Sequence, residues 1–447
     1  MRIHFIGIGG IGVSALAKYY LAQGAEVTGS DLISSEITDE LQKLGVAITI
    51  GKHKKSNIPK KTDLIIYTAA IPKDNPELLE ATRQKLKVKS YAKTLGGLTK
   101  KYTTITVSGS HGKSTTTALV ALVLEEGYFD PTVIVGTKIK EFGDSNFRPG
   151  HGSHLLLEAD EWNKSFLNYS PEIAIVTNID AEHLDTYKTV TSIEKTFEKY
   201  LAKVPKDGAI IANADDERLK KVAKKFGKLV HWYSLKDPEA VAIRNVLRIP
   251  GAHNVSNALA AFKLGWLLGI QKAHILKAIS RFSGAWRRFE FKGTANGAFI
   301  FTDYGHHPTE IHATILAARE RFPFRRIWCV YQPHQFQRLR YLWNEFIPAF
   351  DMADRICLLP VYDVAGRENK KSKTSVDSKK LAHELLKRGK DAYHLDTFTE
   401  AKEFILSEVH PKDIVLIMGA GDIYNLVTAI FDHVNSDTTR PVQRGTR

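Results

Sequence analysis

The stretch Thr106-Val-Ser-Gly109-Ser110-His111-Gly112-Lys113-Ser114-Thr115-Thr-Thr117 decides the fold of this chain. It follows an apolar, β-branched segment, 102–107, and precedes a helical pattern over 118–126. A glycine-bounded turn between a strand and a helix lets backbone N–H groups surround phosphate oxygens. Lys113 adds a positive charge for the β- and γ-phosphates, and the Ser114 hydroxyl is placed to meet Mg²⁺. The complete Walker pattern has its first glycine where Val107 stands, so the stretch predicts a nucleoside-triphosphate site of the shorter Gly-x-x-Gly-Lys-Ser form.

Length and composition describe a multidomain globular protein. The chain has 447 residues, enough for about three domains. Its two cysteines, Cys329 and Cys357, lie in apolar strand-like runs, which predicts packing roles in a reducing compartment. No run approaches the 18 or so uninterrupted apolar residues of a membrane-spanning helix, and the first residues do not resemble a signal peptide. We therefore expect a cytoplasmic protein that does not insert into membranes.

The net charge of +14 raises the question of nucleic acid binding. Basic residues cluster in 52–61, 220–228 and 370–380, without an aromatic-interleaved RNA module or a zinc finger. A basic surface also steers polyanionic nucleotides toward a protein. We expect small anionic substrates and no nucleic acid partner.

Another glycine loop, Gly7-Ile-Gly9-Gly10-Ile-Gly12, lies near the start of the chain after a predicted strand, 2–6. A helical pattern and another strand follow, and Asp31 lies nineteen positions past Gly12, near the spacing of a ribose-binding acid. The third predicted strand, 63–67, leads into a turn of small residues at Thr68. Such a loop suits NAD, but the same turn serves any diphosphate.

Acidic residues and a histidine follow two later strands. The predicted strand 155–157 leads to Glu158-Ala-Asp160-Glu161, and the strand 173–177 leads to Asn178-Ile-Asp180-Ala-Glu182-His183-Leu-Asp185. Strand ends of a doubly wound sheet present ligands. Oxygen ligands with one imidazole would complete a Mg²⁺ site beside the triphosphate. Any single acid of this kind is more often a solvated loop residue, but two such strand ends beside a phosphate loop favour the metal site.

Two further motifs suit nucleotide binding. Asn254 and Asn257 are three positions apart at the start of an apolar helix, so they share a face, although either could be a helix cap. Arg287 and Arg288 place two guanidinium groups at a predicted domain boundary, where they could clamp phosphate or form an ordinary ion pair.

The remaining segment reads as another α/β unit. A strand, 298–302, ends in Asp303-Tyr-Gly-His306-His307-Pro-Thr-Glu310, which has neither a helical i,i+4 histidine pair nor a cysteine cluster. We therefore favour substrate contacts or turn structure over a metal there. Later strands are predicted at 327–331 and 414–418, and the polar, basic tail is predicted to be disordered.

Taken together, these motifs resemble those of the Mur ligases, and within that family those of the ligases that add L-alanine to UDP-N-acetylmuramate. The resemblance covers nearly the whole chain, and its most specific part is the string from Asp303 to Glu310. The other motifs that carry it are Gly7–Gly12, Gly109–Ser114, Glu158–Glu161, Thr177–His183, His253-Asn254-Val-Ser-Asn257-Ala, Arg287-Arg288-Phe289, Gln332-Pro-His334 and Gly419-Ala-Gly421.

The resemblance implies an α/β fold of three domains: a Rossmann-like UDP-binding domain (1–98), a central P-loop ATPase-like domain (99–291) and a Rossmann-like amino-acid-binding domain (292–435), followed by the disordered tail (436–447). It implies ATP-dependent amide formation through an acyl phosphate in peptidoglycan synthesis. The implied substrates are UDP-N-acetylmuramate, L-alanine and ATP, with ATP and Mg²⁺ as cofactors.

The resemblance also implies the site residues. The ATP-binding set is Gly109, Ser110, His111, Gly112, Lys113, Ser114, Thr115, Asn254, Asn257, Arg288 and Asp303. The UDP-substrate set is Gly7, Gly9, Gly10, Gly12, Asp31 and Thr68. The amino-acid set is His334, Gln335 and Arg338, in which His334 is either the base that receives the amine proton or a positioning group. Mg²⁺ would be bound by Ser114, Glu158 and His183, and the catalytic set is Lys113, Glu158, His183, Arg288 and Asp303.

Three positions depart from the family pattern. Ser110 and Ser114 stand where threonine is usual, and both keep the hydroxyl. Gln335 stands where the family motif Gln-Pro-His-Arg has an arginine associated with the amino-acid carboxylate. A neutral amide gives up a charge-assisted hydrogen bond, worth about 1.5–3 kcal/mol. Either amino-acid affinity is weaker here, or Gln335 selects an amino acid other than L-alanine.

Alternative functions leave some of these motifs unexplained. A muropeptide-recycling ligase of the same superfamily would take a preformed tripeptide. An NAD-dependent dehydrogenase has no use for Lys113 and the carboxylates. A nucleic-acid-binding NTPase would show a steep salt dependence of its affinity for DNA or RNA.

Overall fold

The computed structural model describes residues 1–363 and 376–438, with the backbone alone for Asp185 and for residues 434–438. The chain folds into two compact units. One unit consists of Met1–Arg248 with Asn254–Ala285, and the other of Ile249–His253 with the chain from Trp286 onward. The first unit contains two β-sheets and the second contains one.

The first sheet has five parallel strands in the order β3-β2-β1-β4-β5. Its strands are β1 (Arg2–Ile6), β2 (Glu26–Asp31), β3 (Ala47–Ile50), β4 (Leu64–Tyr67) and β5 (Val88–Ser90). Its helices are α1 (Ile11–Ala22), α2 (Glu36–Lys43), α3 (Pro76–Arg83) and α4 (Tyr91–Leu98). The strand order reverses between β1 and β4, and such a switch point is where open α/β sheets bind ligands. The loop Gly7–Gly12, called the first glycine loop below, begins at this point, directly after β1.

The second sheet has seven strands in the order β12-β11-β10-β6-β9-β7-β8, and only β8 is antiparallel to its neighbour. Its strands are β6 (Thr103–Ser108), β7 (Thr132–Ile139), β8 (Ser145–Arg148), β9 (His154–Glu158), β10 (Ile173–Val176), β11 (Ala209–Asn213) and β12 (Val230–Tyr233). Its helices are α5 (Lys113–Glu126), α6 (Leu184–Tyr187), α7 (Val190–Leu201), α8 (Glu217–Ala223), α9 (Glu239–Val246), α10 (Ala252–Leu267) and α11 (Lys272–Arg281). Every residue of α5 from Ser114 to Leu124 is buried, so the helix after the phosphate loop is covered on all sides.

The third sheet has six strands in the order β13-β14-β18-β15-β16-β17, and only β13 is antiparallel. Its strands are β13 (Glu290–Ala295), β14 (Ala298–Asp303), β15 (Ile327–Tyr331), β16 (Arg355–Leu358), β17 (Ala392–His394) and β18 (Ile414–Met418). Its helices are α12 (Pro308–Arg321), α13 (Phe336–Tyr341), α14 (Trp343–Ala349), α15 (Ser378–Lys387), α16 (Phe398–Glu408) and α17 (Tyr424–Thr438). Cys329 and Cys357 are free thiols buried in β15 and β16, as their apolar surroundings predicted.

The predicted elements need three corrections. No strand was predicted at β3, whose four residues are mostly exposed, so the strand predicted third is β4. The helix after the phosphate loop begins at Lys113, five positions before the predicted start at Ala118, because the loop amides continue directly into helical backbone. The helix that contains Asn254 and Asn257 begins at Ala252, so neither asparagine is its cap.

The predicted domain boundaries stay predictions. The boundary at 98/99 coincides with the end of α4, whereas the boundary at 291/292 lies inside β13. Helix α17 continues to Thr438, and the rest of the predicted tail, 439–447, lies outside the described residues. Among the helices that the structure describes, none is long and apolar enough to cross a membrane.

Candidate active site

The phosphate loop between β6 and α5 has a backbone that requires glycine at two positions. Gly109 has φ +133°, and a Cβ there would lie 2.1 Å from Thr177 Oγ1. Gly112 has φ +79°, and a Cβ there would lie 2.4 Å from Asn257 Oδ1. Left-handed backbone and these close approaches both exclude a side chain. The two glycines of the motif are thus explained by the groups that press on the loop.

The segment after β10 supports the loop through hydrogen bonds. The His111 N–H donates to Asn178 Oδ1 (2.9 Å), and the Thr177 hydroxyl donates to the His111 carbonyl (2.6 Å). The Asp180 N–H donates to Ser110 Oγ (2.8 Å), and His111 Nε2 lies 3.1 Å from Asp180 Oδ2. The sequence did not predict that Thr177 and Asn178 support the loop, although their place at a strand end was the available signal. Asp180 belongs to the acidic segment that was predicted to complete a Mg²⁺ site, and the structure shows it in contact with Ser110 and His111.

Lys113 lies among carboxylates at the start of α5. Its Nζ donates to Glu161 Oε2 (2.9 Å) and to the Gly109 carbonyl (2.7 Å), and it lies 3.9 Å from Asp160 Oδ1. Burial would lower the pKa of Lys113, but the charges of Glu161, Asp160 and Glu158 outweigh it and raise that pKa well above its usual range. Lys113 is therefore a permanent positive charge at the loop.

Ser114 and Glu158, two of the predicted metal ligands, are in direct contact. The Ser114 hydroxyl lies 3.1 and 3.0 Å from the two oxygens of Glu158. The Gly136 N–H on β7 donates to Glu158 Oε2 (2.8 Å), which fixes the carboxylate plane. A Cβ at Gly136 would lie 2.9 Å from the same oxygen, so glycine is needed there as well.

His183, the third predicted metal ligand, lies beside a different carboxylate. Its Nε2 is 3.6 Å from Glu161 Oε1, and its Nδ1 is 3.8 Å from Glu182 Oε1. Ligand atoms of Asp160, Glu161 and His183 all lie within 4.8 Å of one another. Burial raises the pKa of Glu161, although the charge of Lys113 opposes it. Glu161 thus joins Lys113 to His183. The sequence places Glu161 in the acidic segment after β9 but did not predict this contact with both residues.

Asn254 and Asn257 are buried on one face of α10, as their spacing predicted. Asn257 Nδ2 lies 3.5 Å from Asn254 Oδ1. Asn257 Oδ1 packs against Gly112 of the phosphate loop, so closely that a Cβ at Gly112 would lie 2.4 Å from it. The pair therefore belongs to the surroundings of the loop.

The first glycine loop is held by the end of β2. The Ser30 carbonyl accepts from the N–H groups of Gly7 (2.8 Å) and Ile8 (3.1 Å), and Asp31 Oδ2 accepts from the Gly9 N–H (2.8 Å). Gly7 has φ +77°, and a Cβ there would lie 2.5 Å from Thr68 Cγ2. The structure therefore brings Asp31 and Thr68 to the loop, and one oxygen of Asp31 is used to hold the loop itself.

In the second unit, Arg288 lies just before β13 and Asp303 is the last residue of β14, so both lie at the open end of this antiparallel strand pair. Asp303 accepts hydrogen bonds from the N–H groups of Phe289 (2.8 Å) and Gly305 (2.7 Å). Burial raises its pKa, although the charge of Arg288 opposes it. The Arg288 guanidinium carbon is 5.2 Å from the centre of the Tyr304 ring, and Nη1 is 3.7 Å from Glu310 Oε1.

The two adjacent histidines of this unit form part of a turn. His307 is the N-cap of α12, where its Nδ1 accepts from the Thr309 N–H (3.3 Å). Glu310 Oε2 accepts from the N–H groups of His306 (3.0 Å) and His307 (3.2 Å). These capping contacts support the predicted turn structure.

Two of the predicted amino-acid residues, His334 and Gln335, contact Tyr362, which the sequence did not predict as a site residue. The rings of His334 and Tyr362 are stacked, 5.5 Å apart and 13° from parallel. Arg338 Nη1 donates to the His334 carbonyl (2.9 Å). Gln335 is buried and has φ +73°, a strained conformation for a residue with a side chain, and its N–H donates to the Tyr362 carbonyl (3.1 Å). Such strain is concentrated at ligand sites.

Comparison with known proteins identifies the family. Three family models match in chain order: Mur ligase family, catalytic domain (residues 2–103), Mur ligase middle domain (107–265) and Mur ligase, glutamate ligase domain (287–421). The UDP-N-acetylmuramate–L-alanine ligase of Clostridium tetani is 39% identical over 95% of this chain and 96% of its own length. The chain belongs to the Mur ligase family. The corresponding ligase of Caldicellulosiruptor saccharolyticus is also 39% identical, over 96% of this Mur ligase and 98% of its own length.

Two solved ligase structures share the fold. UDP-N-acetylmuramate-alanine ligase from Thermotoga maritima superposes with a TM-score of 0.81 at 29% identity, covering 98% of this chain and 100% of its own. A murein peptide ligase from Psychrobacter arcticus superposes with a TM-score of 0.71 at 21% identity, covering 97% and 98% of the two chains. The predicted three-domain α/β architecture of a Mur ligase is confirmed.

Proposed function

We propose that this Mur ligase joins L-alanine to UDP-N-acetylmuramate with consumption of ATP, as a step of peptidoglycan synthesis. The observation that carries the proposal is the phosphate loop, where Lys113 and Ser114 meet the carboxylates of Glu161 and Glu158. Support comes from relatives of that name, which match 95–96% of the chain. A carboxylate is a poor electrophile and must be activated before an amine can attack it. A loop that binds ATP beside groups that bind Mg²⁺ could activate the substrate carboxylate by phosphorylation.

The proposed reaction has two steps. An oxygen of the substrate carboxylate attacks the γ-phosphorus of ATP, the bond to the β-phosphate oxygen breaks, and ADP leaves. The neutral amine of the amino acid then attacks the acyl carbon, loses a proton, and phosphate leaves as the amide forms. Phosphoryl transfer depends on positioning and on neutralising charge. Lys113 supplies that charge at the γ-phosphate, because its neighbours keep it protonated.

The residues near the loop fit a Mg²⁺ ion. Hard oxygen donors suit this ion, and the Ser114 hydroxyl and Glu158 are already within 3.1 Å of each other. We propose Ser114, Glu158 and His183 as its ligands, and the contact of His183 with Glu161 adds a further carboxylate to the set. When bound, Mg²⁺ neutralises phosphate charge. The protein's own part is to hold these donors in place through Gly136 and Lys113.

The remaining residues are proposed as substrate ligands. The first glycine loop with Asp31 and Thr68 would bind the UDP moiety, since the end of β2 fixes the shape of this loop ahead of the N-terminus of α1. The phosphate loop Gly109–Ser114, with Asn254 and Asn257, would bind ATP. Arg288 and Asp303 of the second unit are proposed as ATP ligands. His334, Gln335 and Arg338 are proposed as amino-acid ligands.

Gln335 makes amino-acid choice the most informative part of the test. Its buried amide replaces the guanidinium that the family motif has at this position. Arg338 remains and is held by His334. We propose that L-alanine is still accepted through Arg338, with a raised KM.

The experiment is an assay of ADP and phosphate release with UDP-N-acetylmuramate, using each natural L-amino acid, glycine and a preformed muropeptide tripeptide as acceptors. We expect release to be highest with L-alanine and the product UDP-N-acetylmuramoyl-L-alanine to appear by mass spectrometry. A preference for the tripeptide would identify a recycling ligase instead. Release with none of these acceptors would refute the ligase proposal.

A further inference from the structure

The Tyr91 hydroxyl lies directly over the first glycine loop. A Cβ built on Gly12 would be 2.8 Å from Tyr91 Oη and 3.1 Å from Cζ. Gly12 belongs to the first turn of α1, whose free N–H groups attract anions. The absence of a side chain at Gly12 therefore makes room for a phenol beside a predicted diphosphate site.

The backbone of Tyr91 is held firmly in this place. It is the first residue of α4 and follows β5 directly, and the Ser90 hydroxyl caps the helix by accepting from the Lys93 N–H (3.3 Å). Further along α4, a Cβ at Gly96 would lie 2.4 Å from the Asn168 carbonyl oxygen, so the helix packs tightly against the second sheet's domain. The phenol is thus positioned by both domains of the first unit.

The carboxylates at and after the end of β9 also act on the Tyr91 hydroxyl through their charge. Burial raises the pKa of its hydroxyl, and the charges of Glu158 and Asp160 raise it further. The hydroxyl consequently keeps its proton at neutral pH and acts as a donor. Tyr91 therefore lies against the loop proposed to bind UDP and is near enough to Glu158 and Asp160 for their charges to affect its pKa.

The hydroxyl has no protein acceptor among residues 1–363 and 376–438, although the Tyr91 side chain is half-buried. Two other phenols of the first unit do have partners: the Tyr19 hydroxyl lies 3.2 Å from that of Tyr102, and the Tyr200 hydroxyl lies 2.5 Å from that of Thr106. A pre-positioned donor without an internal acceptor is a suitable ligand contact, because donating to a ligand satisfies it at no cost to an existing bond.

We propose that the Tyr91 hydroxyl donates a hydrogen bond to the pyrophosphate of the UDP-sugar bound at the Gly7–Gly12 loop. This inference rests on the proposed function. The pyrophosphate is favoured over the sugar because the phenol lies over the first turn of α1, where the helix amides would hold an anion. Tyr91 is a substrate-binding residue in this scheme and takes no part in the transfer of the phosphoryl group.

The test is Tyr91→Phe, which keeps the ring over Gly12 and removes only the hydroxyl. We expect the dissociation constants of both UDP and UDP-N-acetylmuramate, measured by calorimetry, to rise about tenfold, since a hydrogen bond to a charged group is lost. The KM for UDP-N-acetylmuramate should rise by a similar factor, while kcat and the KM values for ATP and the amino acid stay within about twofold. Tyr20→Phe is the matched control, because Tyr20 is another half-buried phenol of the same domain that packs on Phe5, and it should bind like the wild type.

Three outcomes would overturn the inference. Unchanged affinity for both ligands would show that the hydroxyl does not contact them. Weakened binding of UDP-N-acetylmuramate with unchanged binding of UDP would place the hydroxyl on the sugar. A fall in kcat alone would place its action on Glu158 or Asp160. Failure of the wild-type protein to bind UDP-N-acetylmuramate at all would refute the proposed function as well, so the two failures are distinguishable.

Discussion

The two glycine loops of the first unit look alike in sequence and are built for different tasks. Each follows the strand at the switch point of its sheet, and each precedes a helix that begins within or directly after the loop. The Gly7–Gly12 loop is held by backbone and carboxylate acceptors from the end of β2. The Gly109–Ser114 loop is held by the segment after β10 and contains a lysine paired with a buried glutamate.

This difference separates binding from chemistry. Backbone amides at a helix N-terminus suffice to hold a diphosphate that does not react. Transfer of a phosphoryl group needs a fixed positive charge and metal-ligating oxygens at the place where charge moves. Lys113, Ser114 and Glu158 supply these groups in the second loop. Substitutions in the first loop should therefore change substrate affinity, and substitutions in the second should change turnover.

The largest effect is expected for Lys113→Ala. It removes the charge proposed to act at the γ-phosphate and deprives Glu161 of its lysine partner, so kcat for ADP release should fall about 10³-fold. The measurement is steady-state ADP release at saturating substrates. Lys225→Ala is the control, because Lys225 pairs with Glu198 on an exposed surface, and it should keep wild-type turnover. A near-normal kcat in the Lys113 variant would refute the proposal that the second loop acts in turnover and the first loop in binding alone.

Gly109→Ala tests whether the second loop depends on its backbone shape. A Cβ would lie 2.1 Å from Thr177 Oγ1 on a backbone with φ +133°, so the free energy of unfolding should fall by about 1–3 kcal/mol. Gly10→Ala is the control, because Gly10 has φ −65° and its nearest neighbour to a Cβ is 3.7 Å away. Its unfolding free energy should change by less than about 1 kcal/mol. Urea titration measures both, and equal losses would contradict the assignment.

Asp31→Ala should act on affinity alone. It removes the carboxylate oxygen that accepts from the Gly9 N–H at 2.8 Å. The backbone conformation of the first loop is then no longer fixed by this hydrogen bond. The KM for UDP-N-acetylmuramate should rise about tenfold while kcat stays within about twofold. Asp39→Ala, at an exposed position of α2, should change neither constant. A fall in kcat with unchanged KM would mean that the first loop also takes part in turnover.

The smallest effect concerns a buried glutamate beneath the first loop. Glu77 accepts hydrogen bonds from His53 (2.7 Å), Asn57 (2.8 Å), Ser30 (2.9 Å) and His4 (3.1 Å). Burial alone would raise the pKa of Glu77, but these donors outweigh it and lower that pKa below the value of an unfolded glutamate. Its stabilising contribution is therefore present above the unfolded pKa and is lost as pH falls through the folded pKa.

Glu77→Gln should remove that contribution. The difference in unfolding free energy between wild type and variant should be largest at neutral pH and should narrow as pH falls below about 4.5. Urea titrations at several pH values measure this narrowing. Glu26→Gln, on an exposed position of β2, should track the wild type at every pH. A difference that stays constant with pH would show that the charge of Glu77 does not contribute.

The parts of the site that sequence predicted were contiguous motifs. Both glycine loops, the acids after β9 and the asparagine pair of α10 each follow from spacing within one segment. The parts that it missed join segments far apart in the chain. Glu161 reaches Lys113, Tyr362 stacks on His334, and no local pattern marks either contact.

The amino-acid sequence by itself determined the fold class, the two nucleotide-binding loops and the family, because periodicity and glycine spacing are local properties of the backbone. Tertiary structure decided which carboxylate pairs with Lys113, why Gly12 has no side chain, and where Tyr91 directs its hydroxyl. These depend on packing between strands and helices that are distant in sequence. Their energies come from burial and charge proximity, which exist only once the sheets are assembled.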